Sequence, residues 1–101
     1  MGARGIAELI NRRRRQILVH SCIYYRLNDN IISDHQYDMW SKELAELQAA
    51  YPDIAETVPF ADEFRGFDGS SGFDLPIHMP YVVGTAEALL REHKKRMKEA
   101  H

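Results

Sequence analysis

A helix start and a helix stop bracket the middle of this chain, and they restrict its fold more than any other feature. Ser33 has a side chain preferred at a helix N-cap, and Gln36 lies three residues later, where it can complete a capping box. Pro52 makes the helical conformation costly for Tyr51, so the helix should end there. Between these signals, apolar residues recur at steps of three or four and predict one buried face. They are Tyr37, Trp40, Leu44, Leu47 and Tyr51.

A second helical pattern precedes this segment, and a polar turn separates the two. The turn reads Asn28-Asp29-Asn30, residues that tolerate left-handed backbone and bond to their own main chain. Two helices joined by a short turn form an antiparallel hairpin. We therefore predict a first helix over about 6–27 and a second over 33–51. The apolar face of the first helix comprises Ile6, Leu9, Ile10, Arg13, Ile17, Ser21, Tyr24 and Leu27, with the stem of Arg13 lying on the core.

The remainder of the chain predicts a long loop and a C-terminal helix. Pro52 can open one further short turn. Over 58–79, Gly, Pro and Ser alternate with large apolar residues, and we expect this loop to cover the hairpin and insert them into the core. A helix should begin near Pro80 and expose a basic end. The fold class is therefore all-α: an antiparallel helical hairpin plus a C-terminal helix, with an aromatic-rich covering loop. The loop residues are Phe60, Phe64, Phe67, Phe73, Leu75 and Ile77, and the helix face is Val82, Val83, Ala86, Leu89, Leu90, His93 and Met97.

Composition predicts one domain that resides inside a cell. A length of 101 residues with 45% hydrophobic residues is enough for a single core. Because Cys22 is the single cysteine, the chain forms no internal disulfide and suits a reducing compartment. No apolar run is long enough to cross a membrane, and the N-terminus lacks the features of a signal peptide. We expect a cytoplasmic protein, located in the host cytoplasm if a phage encodes it.

Residues able to bind metals or phosphates show no strong site pattern. The five histidines are scattered without metal-ligand spacing, so no metal is expected. Cys22 is predicted to be a small buried hydrophobe. The segment Gly69-Ser-Ser-Gly72 lacks the lysine of a P-loop and is predicted to be a turn. The basic run of Arg12, Arg13, Arg14 and Arg15 is either a solvated helix face or a contact surface for phosphates of nucleic acid or for a partner.

The hairpin also carries a set of motifs in register: Tyr24-Tyr25, Ile32-Ser33-Asp34, Tyr37-Asp38, Glu43-Leu44, Leu47 and Tyr51-Pro52-Asp53. This pattern resembles the small N-terminal domain, domain Ia, of bacterial NAD-dependent DNA ligases. That family shows an aromatic pair, a short loop, an ISDxEYD-like segment and an ELxxLE run that ends at a proline. The resemblance needs no gap and covers about residues 10–54. We see none from Ala55 onward.

The resemblance implies a ligand and the residues that contact it. In that family, domain Ia helps to hold the nicotinamide mononucleotide half of NAD. Tyr24 and Tyr25 match the aromatic pair that meets the nicotinamide ring, and Asp34, Tyr37 and Asp38 match the segment that contacts the ribose and the ring. A cationic ring favours an aromatic face and nearby carboxylates. The residues alone leave another interpretation open, in which Tyr24 and Tyr37 are core residues and Asp34 only stabilises the helix start.

The resemblance also indicates what the chain lacks. Ligases need a K-x-D-G lysine nucleophile, and the nearest string, Gly66-Phe67-Asp68-Gly69, has glycine in place of that lysine. We therefore expect one domain over 1–101, ligase-like over 6–54 and unmatched over 55–101. Its expected function is that of a stand-alone module that binds NAD or nicotinamide mononucleotide and is not an enzyme. The alternative is a small phage-type protein-interaction or inhibitor module, with the hairpin as scaffold and the basic run or aromatic loop as the surface for a protein or nucleoprotein partner.

Overall fold

The fold of this chain is built from helices alone in the part that the computed structural model describes, residues 2–70, 72 and 74–99. In chain order, these helices are α1 (Ala3–Tyr25), α2 (Asp34–Ala50), α3 (Pro52–Thr57) and α4 (Pro80–Glu99). The predicted all-α class is confirmed, including the hairpin of α1 and α2 and the C-terminal helix. Within the same residues, no helix combines the length and the apolar character needed to cross a membrane.

The ends of α1 differ by a few residues from the predicted range of 6–27. The helix begins at Ala3 because Gly2 adopts the extended conformation of an N-cap and its carbonyl oxygen accepts the amide of Ile6 at 3.0 Å. It ends at Tyr25, shortly before Asn28, whose φ of 53° turns the chain away from the helix axis. The asparagine-rich turn therefore stops the helix slightly earlier than the apolar pattern indicates.

The start of α2 follows from one side chain. The backbone amide of Gln36 donates to Ser33 Oγ at 3.0 Å, and Ser33 has the extended backbone of an N-cap. At the other end, α2 stops at Ala50 and Pro52 is the first residue of α3, the position where its missing N–H is harmless. Local signals thus set both ends of this helix.

Removal of the Ser33 hydroxyl should weaken the start of α2. We expect Ser33→Ala to lower the free energy of unfolding by about 1 kcal/mol, because the amide of Gln36 loses its acceptor. Urea denaturation followed by circular dichroism measures this loss. Lys42→Ala, an exposed change within the same helix, serves as the control. A midpoint for Ser33→Ala that matches this control would show that the cap does not stabilise the helix.

The core lies around α1, which contacts each of the other helices. In the described part of the covering loop, Phe64 is fully buried and the neighbouring Phe60 and Phe67 are partly buried against the same core. The backbone amide of Phe64 bonds to the carbonyl of Phe60 at 3.1 Å, so these two residues share a helical turn. Phe73 lies outside the described residues. The core as a whole includes Ile10, Ile17, Leu18, Ile23, Leu44, Leu75, Ile77, Val82 and Ala86.

A buried arginine joins α1 to the segment after α2. Arg14 is 2% exposed, and its Nε donates to Gln48 Oε1 at 2.9 Å. Its Nη1 donates to the carbonyl oxygens of Val58 and Pro59, and its Nη2 to that of Ala55, at 3.0 to 3.1 Å. These carbonyls lie at the end of α3, where a helix leaves its acceptors unpaired. The guanidinium therefore caps α3 from a different helix.

The basic run does not form one exposed patch, which corrects the expectation of a single surface. Successive residues of a helix point about 100° apart, so four in a row cannot share a face. Arg14 is buried, and the side chain of Arg13 is only 16% exposed. Arg15 lies against the rings of Phe60 and Tyr81. The four side chains therefore do not offer one cationic surface to phosphates.

The buried face of α4 is shorter than its apolar pattern. Val82 and Ala86 are fully buried, whereas Leu89 is exposed and Met97 is 53% exposed. Among the described helices, α4 contacts α1 alone. The predicted apolar face of α4 is therefore covered mainly at its start, with Leu90 still partly buried against the core and the last turns extending past it.

Candidate functional site

A cavity of about 320 Å³ opens at the turn between α1 and α2. Its size lies within the range of small-molecule sites. All the residues that the sequence assigned to a ligand site line this cavity: Tyr24, Tyr25, Asp34, Tyr37 and Asp38. The other lining residues are His20, Asn30, Ile31, Ile32 and Ser70.

The hairpin explains why these side chains meet. Tyr24 and Tyr25 are the last residues of α1, while Asp34, Tyr37 and Asp38 occupy the first turns of α2. The spacing of three and four residues on α2 places its three side chains on one face. Since the Ser33 cap fixes where α2 begins, it also fixes which residues of that helix face the cavity.

The two tyrosines at the end of α1 present aromatic surface to solvent. Tyr24 is 54% exposed and Tyr25 is 38% exposed. Their rings meet edge to face, with centroids 4.9 Å apart and planes at 88°. Tyr24 is therefore not a core residue, although it continues the apolar spacing of α1. Because α1 ends at Tyr25, no further helical turn covers these rings.

Tyr37 connects the cavity to the interior. Its hydroxyl and Ser21 Oγ lie 2.7 Å apart and share a hydrogen bond. Burial raises the pKa of the Tyr37 phenol, and the bond with Ser21 partly opposes this rise. Tyr37 is partly buried against the core and also lines the cavity. It is therefore both a packing residue and part of the cavity wall.

The charge of the cavity wall is negative. Asp34 and Asp38 are exposed carboxylates on its rim, and the described lining residues include no Lys or Arg. Carboxylates accept hydrogen bonds from hydroxyl groups and attract cations. A ligand that carries a positive charge or several hydroxyls would match this wall, whereas an anionic group would be repelled.

Gly69 and Gly72 both lie close against the hairpin. Gly69 has a φ of +85°, and a Cβ there would lie 3.1 Å from the carbonyl oxygen of Ser41 on α2. A Cβ on Gly72 would overlap the hydroxyls of both Ser21 and Tyr37. Only glycine allows such close approach without displacing a neighbour. These two glycines are thus more than turn residues, because Gly69 lies against α2 and Gly72 lies against side chains of α1 and α2.

Ser70 reaches the cavity from this segment. Asp68 Oδ1 accepts hydrogen bonds from the Ser70 amide at 2.9 Å and from its hydroxyl at 2.6 Å. These bonds, led by that of the hydroxyl, lower the pKa of Asp68. Ser71, which belongs to the same predicted turn, lies outside the described residues. Ser70 carried no sequence signal for the site, because long-range packing brings it there.

His20 is a second lining residue that the motifs did not indicate. It lies one helical turn before Tyr24, and its ring lies 5.6 Å from that of Trp40, centroid to centroid. Its Nδ1 is buried and has no hydrogen-bond partner among the described residues. Burial lowers the pKa of the imidazole. The spacing of four residues to Tyr24 was the available signal, since it places both side chains on the same side of α1.

Other candidate residues lie away from the cavity. None of Arg12, Arg13, Arg14 and Arg15 lines it. Gly66, the first residue of the string nearest to a K-x-D-G motif, has a φ of +80°, a conformation that strains any other residue. Among the described residues, no group of three or more His, Cys, Asp or Glu side chains could hold a metal ion; His101 lies outside them.

Comparison with known families gives a match over the first half of the chain. The model of the family "DNA ligase-like, N-terminal NAD+-binding domain" matches residues 3–57. This range contains α1, α2 and α3, and thus every motif residue that lines the cavity. No solved structure matches the chain at a significant level.

Several DNA ligases align with almost the whole chain. The DNA ligase of Thermoanaerobacter sp. strain X514 is 32% identical over 97 residues, covering 92% of this chain and 14% of the ligase. That of Pseudothermotoga lettingae is 35% identical over 104 residues, with coverage of 93% and 14%. This chain thus spans about 14% of the length of these relatives. The similarity continues past the stretch of about residues 10–54, and this corrects the expectation that it stops there.

Proposed function

Because the chain belongs to the family of DNA ligase-like, N-terminal NAD+-binding domains, we propose that it binds NAD through the nicotinamide mononucleotide half. The proposed site is the cavity between the ends of α1 and α2. The observation that carries this proposal is the meeting of Tyr24, Tyr25, Asp34, Tyr37 and Asp38 around one opening of about 320 Å³.

The chemistry of the wall suits this ligand. The exposed rings of Tyr24 and Tyr25 offer aromatic surface to a flat cationic ring. The carboxylates of Asp34 and Asp38 would balance the positive charge of the pyridinium and accept hydrogen bonds from ribose hydroxyls. The phenol of Tyr37 is protonated at neutral pH, since its ordinary pKa is about 10 and burial raises that pKa further, so its hydroxyl is able to donate.

We assign binding to this chain and no catalytic step of its own. Adenylyl transfer in the manner of ligases needs a lysine nucleophile in a K-x-D-G motif. In the one similar string here, glycine (Gly66) occupies the place of the lysine. The described lining of the cavity contains no lysine. The whole-length relatives are named as DNA ligases, and this chain corresponds to about 14% of them.

Calorimetric titration of the purified protein tests this proposal. We expect saturable one-site binding of nicotinamide mononucleotide and of NAD, and no binding of adenosine monophosphate, which has neither the cationic ring nor the carboxamide. In parallel, NAD labelled in its adenylyl group should leave no label on the denatured protein. Absence of heat with nicotinamide mononucleotide up to millimolar concentration would contradict the proposed function.

Protein binding remains a second candidate because of α4. Leu89 and Met97 are exposed on this helix beside exposed basic residues of its last turns. Exposed apolar side chains beside basic residues could contact an acidic partner. The basic run and the aromatic loop support this candidate less, since Arg14 and Phe64 are buried.

A further inference from the structure

His20 lies on the cavity wall without belonging to the motif that indicates the site. It is on α1, one turn before Tyr24, and is separated in sequence from the carboxylates of α2. The imidazole shares the cavity with Asp34, Asp38 and the tyrosines. Its position is therefore suitable for direct contact with whatever the cavity holds.

Packing holds the His20 ring in place. The ring of Trp40 lies 5.6 Å away at an angle of 52°. Trp40 also packs against Arg13, whose guanidinium lies 5.7 Å from its ring centroid. Arg13 in turn lies 3.4 Å from a carboxylate oxygen of Glu43. A side chain supported in this way loses little conformational freedom when it binds a ligand.

The surroundings of the ring determine which nitrogen carries the proton. Burial lowers the pKa of His20, so the imidazole is neutral at pH 7 and has one N–H group and one lone pair. Nδ1 is buried and has no partner among the described residues. A buried N–H without an acceptor is rarer in proteins than a buried acceptor without a donor. The proton therefore belongs on Nε2, which makes His20 a neutral hydrogen-bond donor.

We propose that His20 determines ligand specificity by donating a hydrogen bond from Nε2 to the carbonyl oxygen of the nicotinamide carboxamide. This inference rests on the proposed function. Of the groups on nicotinamide mononucleotide, the pyridinium and the ribose hydroxyls match the carboxylates of Asp34 and Asp38. The phosphate is an anion and would be repelled by the same carboxylates. The carboxamide carbonyl is the neutral acceptor that a neutral donor fits.

A thermodynamic cycle tests this contact by changing His20 and removing the carboxamide of the ligand, separately and together. The ligands are nicotinamide mononucleotide and pyridine mononucleotide, which lacks only the carboxamide. The proteins are the wild type, His20→Phe, which keeps a ring beside Trp40, and His20→Gln, which keeps an N–H donor. His35→Gln, an exposed change outside the cavity, is the matched control. Thermal unfolding of each variant establishes that it is folded.

We expect the wild type and His35→Gln to prefer the carboxamide ligand by about 3- to 10-fold, the value of one neutral hydrogen bond. His20→Phe should bind both ligands equally, and His20→Gln should recover part of the preference. An equal loss of affinity for both ligands in His20→Phe would overturn the inference, as would a wild type that binds both equally. A wild type that binds neither ligand would refute the proposed function instead.

If His20→Phe does not fold, His20→Gln and the wild type decide the question. A preference smaller than that of the wild type, in a folded His20→Gln that still binds pyridine mononucleotide like the wild type, supports the contact. Equal weakening of both ligands in that variant overturns it.

Discussion

Arg14→Ala is expected to lower the free energy of unfolding by at least about 3 kcal/mol. The substitution removes the donor from the buried carbonyl oxygens of Ala55 and Val58, of which that of Ala55 keeps only the amide of Val58 at 3.4 Å, and from the more exposed carbonyl of Pro59. Each unpaired buried acceptor costs about 1 to 3 kcal/mol. The substitution also removes the donor to Gln48 Oε1 and empties the volume of a large side chain. α3 would then lose its hydrogen-bonded link to α1, and only its apolar contacts with that helix would remain.

Urea denaturation measures this effect against two other variants. Arg12→Ala removes an exposed neighbour of the same type and should leave stability within about 0.5 kcal/mol of the wild type. Arg14→Lys keeps the charge but lacks the planar fork that donates in several directions at once, so it should be much less stable than the wild type. If Arg14→Ala unfolds at the same urea concentration as Arg12→Ala, the bonds of the guanidinium contribute nothing to stability.

Asp38→Ala is expected to reduce the affinity for nicotinamide mononucleotide by at least about tenfold, since a hydrogen bond to a charged group contributes about 1.5 to 3 kcal/mol. Asp38 is exposed at the rim of the cavity. Its removal should therefore change the free energy of unfolding by less than about 0.5 kcal/mol. A loss of binding without a loss of stability is what distinguishes a ligand contact from a packing role.

The matched control for this variant is Glu46→Ala. Glu46 is an exposed carboxylate on the same helix and lies outside the cavity, so its removal changes the net charge equally. Calorimetry should give the wild-type affinity for Glu46→Ala. An equal reduction in both variants would mean that only overall charge matters, and unchanged affinity in Asp38→Ala would exclude this carboxylate from the site.

Local signals allowed the hairpin to be predicted from the sequence. Ser33 and Pro52 act within one turn of their own positions, so the ends of α2 were correct to within a residue. The turn that follows Tyr25 brings the end of α1 to the start of α2, and a motif spread over both helices thus became one cavity. The ligand role of these residues stays a prediction.

Features that depend on distant partners could not be read from the sequence. The apolar spacing of α1 indicated Arg13 as the arginine on the core, but Arg14 is buried because carbonyl groups more than forty residues away surround it. Ser70 lines the cavity through packing that no local pattern encodes, whereas for His20 only its four-residue spacing to Tyr24 gave a signal. Likewise, the spacing of α4 continues to Met97 after the helix has lost its neighbour.

The position of Gly72 has a consequence for how the cavity and the loop influence each other. Tyr37 lines the cavity with one side, while its hydroxyl meets Ser21 and leaves no space for a Cβ at residue 72. A ligand that drew this phenol toward itself would break its hydrogen bond with Ser21 and remove one of the contacts that exclude a side chain at residue 72. If the cavity binds a ligand in this way, ligand affinity and the close packing of Gly72 would be coupled through a single hydroxyl group, and each would alter the equilibrium of the other by the same factor.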